Sequence, residues 1–177
     1  MAFGLPAGQL SQSPNIHSWW DTAKLQEIES FKAQCNDLIL RILPCFAVHM
    51  GLPASFFAAS HNQTLPGNAL KFMEYPKMPA KPAGSDGVDA RLSPHTDWGT
   101  LTLLFNETPG LEVRDPGNSW HDVPVIPGGI VVNIGDALSF WTGRKLKSTM
   151  HRISWEKVPF DQDRYSIPYF AQPSFGR

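Results

Sequence analysis

The sequence has no apolar run of the roughly 18 residues that a membrane-spanning helix requires, so it offers no such span. Nor does one sign of charge dominate: 15 Lys and Arg stand against 16 Asp and Glu, for a net charge of −1. A basic stripe able to grip nucleic acid is missing. The opening MAFGLPAGQLSQSP has neither a basic start nor an apolar core, and so does not read as a secretory signal. Cysteine is scarce, with two in 177 residues. Cys35 and Cys45 fall in one helical pattern, where their separation amounts to about 15 Å. That is too far for a disulfide, so reduced thiols and a cytoplasmic home are expected. Internal repeats and low-complexity tracts are absent as well.

What is present is enough apolar content, 42%, for one domain with a real core. Leu25, Ile28, Phe31, Cys35, Leu38, Ile39, Ile42 and Leu43 recur at steps of three and four, which predicts a helix. Pro44 should kink or end it; if it resumes, Gly51 and Pro53 mark its stop. PASFFAASH predicts a short second helix. From Ala69 the period changes, and most of the 16 prolines and 14 glycines lie after residue 50. ALKFMEYP, TLTLLF, GLEVR, WHDV, IVVNIG, LSFW, STMHRISW and RYSIPYF read as about eight strands, the number of a jelly roll. DPGN and VPVIPGG read as turns, and KMPAKPAGSDGVDA as a surface loop. The expected fold is mainly β with N-terminal helices. Residues 1–68 form an irregular arm and helical scaffold, and residues 69–177 a jelly roll.

The stretch SPHTDWGTLTLL places His95 and Asp97 two residues apart at the mouth of an apolar strand. In extended chain such residues share a face. Two readings are open: a metal site, or a hydrogen-bonded pair. His17, His49, His61 and His121 read as solvated or capping. His151, in KSTMHRISW, shares a strand face with Ile153 and Trp155; it is either a satisfied core histidine or a third ligand. Arg164 and Ser166 repeat the two-residue spacing in the apolar RYSIPYF. An Arg on an inward face needs an anionic partner, and its fork beside a hydroxyl suits a carboxylate. Two His and one carboxylate with open positions match the ligand set of non-haem iron(II) oxygenases.

Taken in order, PHTDWGTLTLL, GGIVVNIGDALSFWTGRKLKSTMHRI and RYSIPYF resemble the 2-oxoglutarate and iron(II)-dependent oxygenases of the isopenicillin N synthase-like group. The resemblance covers Leu70 to Phe170, and the helix from Leu25 to Leu52 is similar to the one ahead of that family's barrel. It implies a double-stranded β-helix, the cupin-like jelly roll. It implies Fe(II) held by His95, Asp97 and His151, with O2 as oxidant. It implies 2-oxoglutarate as cosubstrate, its distal carboxylate clamped by Arg164 and Ser166, with Tyr75 of the Tyr75–Pro76 site nearby. Asn133 and Gly135 match structural positions of the family. The implied activity is hydroxylation, desaturation or ring closure of a small organic molecule in secondary-metabolite biosynthesis.

Family members usually carry a longer N-terminal region, and segments beyond the last strand that close over substrate. Residues 1–68 therefore read as a truncated form of that region. Exposed apolar surface near the cavity mouth and self-association through the uncovered barrel are expected. Two other functional readings stay open. One is a non-catalytic metal-binding jelly-roll module. The other is a related iron oxidase that uses no 2-oxoglutarate, since some members with the Arg-x-Ser pair use none.

Overall fold

The computed structural model of the chain describes residues 2–3, 19–61, 67–78, 81 and 90–174. Asp21, with extended backbone, accepts from the Lys24 N–H at 2.9 Å and so caps the first helix, α1 (Thr22–His49). One face of α1 buries Leu25, Ile28, Cys35, Ile39, Leu43 and Ala47. The helix runs through Pro44 rather than ending there. Leu43 and Ala47, on either side of the proline, are fully buried. That packing outweighs the one backbone bond a proline removes. Gly51 then takes a left-handed conformation at φ 74°, and the Leu52 N–H closes the end on the Ala47 carbonyl at 2.9 Å. Cys35 and Cys45 are free thiols on this helix, the first buried and pushed up to about 11 by burial. A single helical turn follows, α2 (Ser55–Ala58).

The strands are β1 (Ala2–Phe3), β2 (Ala69–Lys71), β3 (Met73–Tyr75), β4 (Ala90–His95), β5 (Leu101–Asn106), β6 (Leu111–Arg114), β7 (Trp120–Asp122), β8 (Val131–Ile134), β9 (His151–Ser154) and β10 (Arg164–Ala171). One sheet has the order β1-β2-β10-β5-β8, with β3 also on β10; the other is β4-β9-β6-β7. Every pairing is antiparallel. This is the jelly roll. The DPGN turn joins β6 to β7, with Asn118 at φ 67° and its N–H on the Asp115 carbonyl.

Besides the helix at Pro44, four expectations change. LSFW is not a strand but part of α3 (Asp136–Trp141). The N–H groups of Asp136 and Ala137 bond carbonyls of the 97–99 turn, and only Leu138 of the helix is buried. The apolar run there is thus largely a surface. ARLSPH, whose Ala90 ends the expected surface loop, is β4. ALKFMEY divides at Phe72 into β2 and β3. The N-terminal arm contributes Ala2–Phe3 to the sheet edge at β2. His17 and most of the KMPAKPAGSDGVDA segment lie outside the described residues.

Strand parity divides the long sheet. Leu101, Leu103, Tyr169 and Ala171 face α1 and share its core; fully burying a side chain such as Leu101 or Ile39 stabilises by about 1.5–3 kcal/mol. Asn68 ties helix to sheet, donating to the Asn36 side chain and to the Tyr169 hydroxyl, both at 2.9 Å. The opposite face of the sheet looks towards the second sheet, and the space between them is the site.

Candidate metal centre and its cavity

His95 and His151 are cross-strand partners of β4 and β9, with ring centres 4.3 Å apart. Each ring is held the same way. The Nδ1 of His95 bonds the Ser93 carbonyl at 2.8 Å, and that of His151 bonds the Thr149 carbonyl at 3.1 Å. A carbonyl only accepts, so Nδ1 carries the proton and Nε2 presents a lone pair. Asp97 lies two residues past His95, in the turn leaving β4, and is buried. Its Oδ2 accepts from the Thr102 hydroxyl at 2.6 Å and from the Asn133 amide at 2.8 Å. Its Oδ1 is left towards the histidines, 3.9 Å from His95 Nε2 and 3.7 Å from His151 Nε2.

These three ligand atoms all lie within 4.8 Å of one another, the one such cluster among the described residues. Three lone-pair donors converge with no hydrogen between them. A triangle of that size has a centre about 2–2.5 Å from each corner, the bond-length range of a divalent transition metal. The residues present therefore fit a metal ion.

The turn carrying Asp97 is fixed from behind. The Asp97 carbonyl accepts from the Asp136 N–H, and the Thr100 carbonyl from the Gly135 N–H. Chains approach so closely here that a Cβ on Gly135 would meet the Gly99 carbonyl oxygen at 2.1 Å. One on Gly99 would meet that of Ala171 at 2.3 Å.

Arg164, at the start of β10, is 0% exposed. Its Nε donates to the Pro109 carbonyl at 2.9 Å, while both terminal nitrogens are buried with no hydrogen-bond partner among the described residues. The guanidinium lies 5.1 Å from the centre of the Tyr75 ring, on the strand position paired with it. Burial lowers the Arg164 pKa, and it raises that of Tyr75 against the pull of the arginine. Ser166 is buried on the same strand face. All six residues singled out on the sequence thus line one cavity of about 180 Å³ between the two sheets, its remaining wall mostly apolar. An unpartnered buried fork at the end of such a cavity fits a carboxylate.

Sequence reasoning gave no role to Thr102, Asn133 or Lys71, which line the same cavity. A signal existed for Asn133, the polar residue inside the apolar IVVNI. Thr102 has inward parity in TLTLL. The other described histidines are used elsewhere. His61 is buried, with Nδ1 on the Phe57 carbonyl at the end of α2 and Nε2 on the Thr100 hydroxyl, and His121 pairs with Asp115. His49 is exposed.

The profile of the 2OG-Fe(II) oxygenase superfamily matches residues 67–173. The chain is 35% identical to the proline hydroxylase buaE of Petromyces alliaceus, over 98% of this chain and 56% of that protein. It is 36% identical to the 2-oxoglutarate-dependent dioxygenase frbA of Dothideomycetidae sp. (strain 11243), over 83% of this chain and 45% of that protein. Among solved structures, a putative 2OG-Fe(II) oxygenase family protein from Caulobacter crescentus matches with a TM-score of 0.78 at 28% identity, covering 98% of this chain and 56% of that one. A full-length Neurospora crassa protein solved in complex with alpha-KG matches with a TM-score of 0.80 at 29% identity, covering 98% of this chain and 54% of that one. The chain spans about half the length of the curated relatives it matches.

Proposed function

The chain belongs to the 2OG-Fe(II) oxygenase superfamily, and from that membership we propose that it oxidises a small organic molecule with iron(II), 2-oxoglutarate and O2. The observation that carries this reading is the orphaned fork of Arg164, facing the same cavity as His95, Asp97 and His151. Those three side chains would hold the iron. Arg164 would hold the distal carboxylate of 2-oxoglutarate, with Ser166 and Tyr75 beside it. The bound iron supplies the oxidising chemistry, coupling conversion of 2-oxoglutarate and O2 into succinate and CO2 to hydroxylation, desaturation or ring closure of the substrate.

The chain's own part is to bind, orient and keep water out. Thr102 and Asn133 fix the Asp97 carboxylate so that one oxygen is always presented. The Ser93 and Thr149 carbonyls keep both imidazoles in the ligating tautomer. Leu104, Leu111 and Val131 give the cavity an apolar wall that excludes water.

Residues 69–177 are the catalytic unit in this reading, and residues 1–68 its scaffold. A role in secondary-metabolite biosynthesis belongs to the same proposal. So does a cytoplasmic home, which the free Cys35 and Cys45 support; among the described residues, no helix is long and apolar enough to cross a membrane. Self-association is proposed from Trp98 and Phe140, 77% and 78% exposed on segments that bond each other through the Ala137 N–H and the Trp98 carbonyl. Sedimentation that shows a monomer at every concentration would refute that part.

The test of function is an anaerobic iron(II) titration with and without 2-oxoglutarate, followed by admission of O2. Binding of both, then succinate formation, is the expected result. His151→Ala should abolish iron binding, and Arg164→Ala should weaken 2-oxoglutarate far more than iron. Iron binding that is indifferent to 2-oxoglutarate would sink the proposal.

A further inference from the structure

Lys71 is the one charged residue of the cavity wall that the proposed function leaves unused. It lies on β2 beside β10, and the charged side chains of the described wall are Lys71, Asp97 and Arg164. Among the described residues no carboxylate pairs with Lys71. Its ammonium rests 4.9 Å from the centre of the Phe170 ring. An apolar cavity that keeps a cation at its rim without a counter-charge has a preference for anions.

Strand register shows which anion it can reach. Lys71 follows Ala69 and Leu70, the partners of Phe170 and Tyr169, and so stands opposite Pro168, four residues and about 13 Å along β10 from Arg164, with its ammonium carried on to the Phe170 ring. Phe170 pairs with Thr102, whose hydroxyl bonds Asp97. Lys71 and Arg164 therefore sit at different ends of the cavity, with Lys71 at the level of the metal cluster. A five-carbon dicarboxylate held by Arg164 would have its other end committed to the iron, which leaves the Lys71 ammonium for a different anion. Charge gives the same answer. Iron(II) and doubly negative 2-oxoglutarate cancel, Asp97 offsets one of the two cationic side chains, and one positive charge remains.

We propose that Lys71 is a specificity-determining residue that binds an anionic group of the substrate, a carboxylate on a small organic acid, at the end of the cavity away from Arg164. This rests on the function proposed above and narrows its substrate class. The Phe170 ring holds the ammonium in place, so little side-chain freedom is lost on binding. The apolar side chains that line the rest of the cavity take the body of the acid, and anchoring one end presents the other to the iron.

The experiment uses the full chain loaded anaerobically with iron(II) and 2-oxoglutarate. Binding of a panel of small aliphatic and aromatic monocarboxylic acids is measured by calorimetry, each beside its primary amide of the same shape. In the parent protein, acids should bind at least tenfold more tightly than their amides. Lys71→Met, which keeps the stem over Phe170, should remove that difference by weakening the acids alone, and Lys71→Arg should keep it. Affinities for iron and 2-oxoglutarate should change less than twofold in either variant. Amides equal to acids in the parent, no acid bound by the loaded protein, or a preference surviving in Lys71→Met would each overturn the inference while leaving the proposed function intact. A parent protein that fails to load iron and 2-oxoglutarate would overturn both.

Discussion

Arg164→Met tests whether the cavity is built around an absent anion. In the ligand-free chain the guanidinium is fully buried and two of its nitrogens have no hydrogen-bond partner among the described residues. A buried donor without a partner costs about 1–3 kcal/mol, so the two together cost about 2–6 kcal/mol. Methionine fills most of the same volume without a charge. It forfeits the Nε bond to the Pro109 carbonyl, worth about 1 kcal/mol. The ligand-free variant should then be more stable than the parent by about 1–5 kcal/mol. Ligand reverses the order. With a redox-inert divalent metal and 2-oxoglutarate at a hundred times its dissociation constant, the parent should gain about 2.7 kcal/mol. For a domain of this size that is about 5–10 °C in Tm. The variant should gain under about 0.5 kcal/mol. Urea unfolding with and without the two ligands measures all four quantities. A ligand-free variant weaker than the parent by about 2 kcal/mol, or one that keeps the full 2-oxoglutarate gain, would refute the idea that the fork awaits a carboxylate.

Three further outcomes follow from particular contacts. Asn133→Ala and Thr102→Val each remove one of the two donors to Asp97 Oδ2, so each should weaken metal binding about 10–100-fold in a competition titration, with the metal-free unfolding midpoint little changed. Gly135→Ala forces a Cβ into the Gly99 carbonyl, backbone against backbone, and should lower stability by about 3 kcal/mol; a loss under about 0.5 kcal/mol would show that the turn can relax. Burial holds the His61 ring below its ordinary 6.5, so the unfolded chain takes the proton first. Its contribution is whole above about pH 6.5 and is lost as pH falls below that value. His61→Gln should therefore flatten the fall in stability between about pH 7.5 and 5.5, and parallel profiles for the two proteins would refute the assignment.

Much of this is legible in the sequence, because the signals are periodic. Alternation in TLTLLF and RYSIPYF and the three-four spacing from Leu25 to Leu43 report burial directly. The failures have physical causes. LSFW carries strand-like residues, yet the carbonyls of the Asp97 turn draw the N–H groups of Asp136 and Ala137 into a helix start, a tertiary demand that no local pattern records. Pro44 looked like a stop because its missing N–H is a local fact, while the burial of Leu43 and Ala47 against the sheet is not. Spacing offered His95, Asp97 and His151 as candidates but said nothing of what turns them. The Ser93 and Thr149 carbonyls are invisible in a sequence of side chains. Lys71 was hidden because a lysine in a strand is ordinarily a solvated edge residue.

The parity of β10 shows why core and site depend on each other. Arg164, Ser166 and Phe170 face the cavity, and Tyr169 and Ala171 join the core beneath α1. In a strand, a one-residue slip exchanges the two faces. Tyr165 would then enter the position of the anion clamp, and the guanidinium would be pressed towards the helix side, where Phe105 and Ile167 pack. The apolar contact with α1 and the carboxylate clamp would be lost together. Pairing fixes the strand from both sides, with β5 along its length and β2 and β3 in turn on the other edge. The division of β2 from β3 at Phe72 belongs to this arrangement: Lys71, Met73 and Tyr75 all line the cavity, while Phe72 packs against the helix-side core. A proline at Leu103 tests the coupling, because it removes a backbone N–H from the strand that pairs with both β10 and β8. It should release the α1 packing and the affinity for 2-oxoglutarate in one step. Loss of either alone would show that core and clamp are set independently.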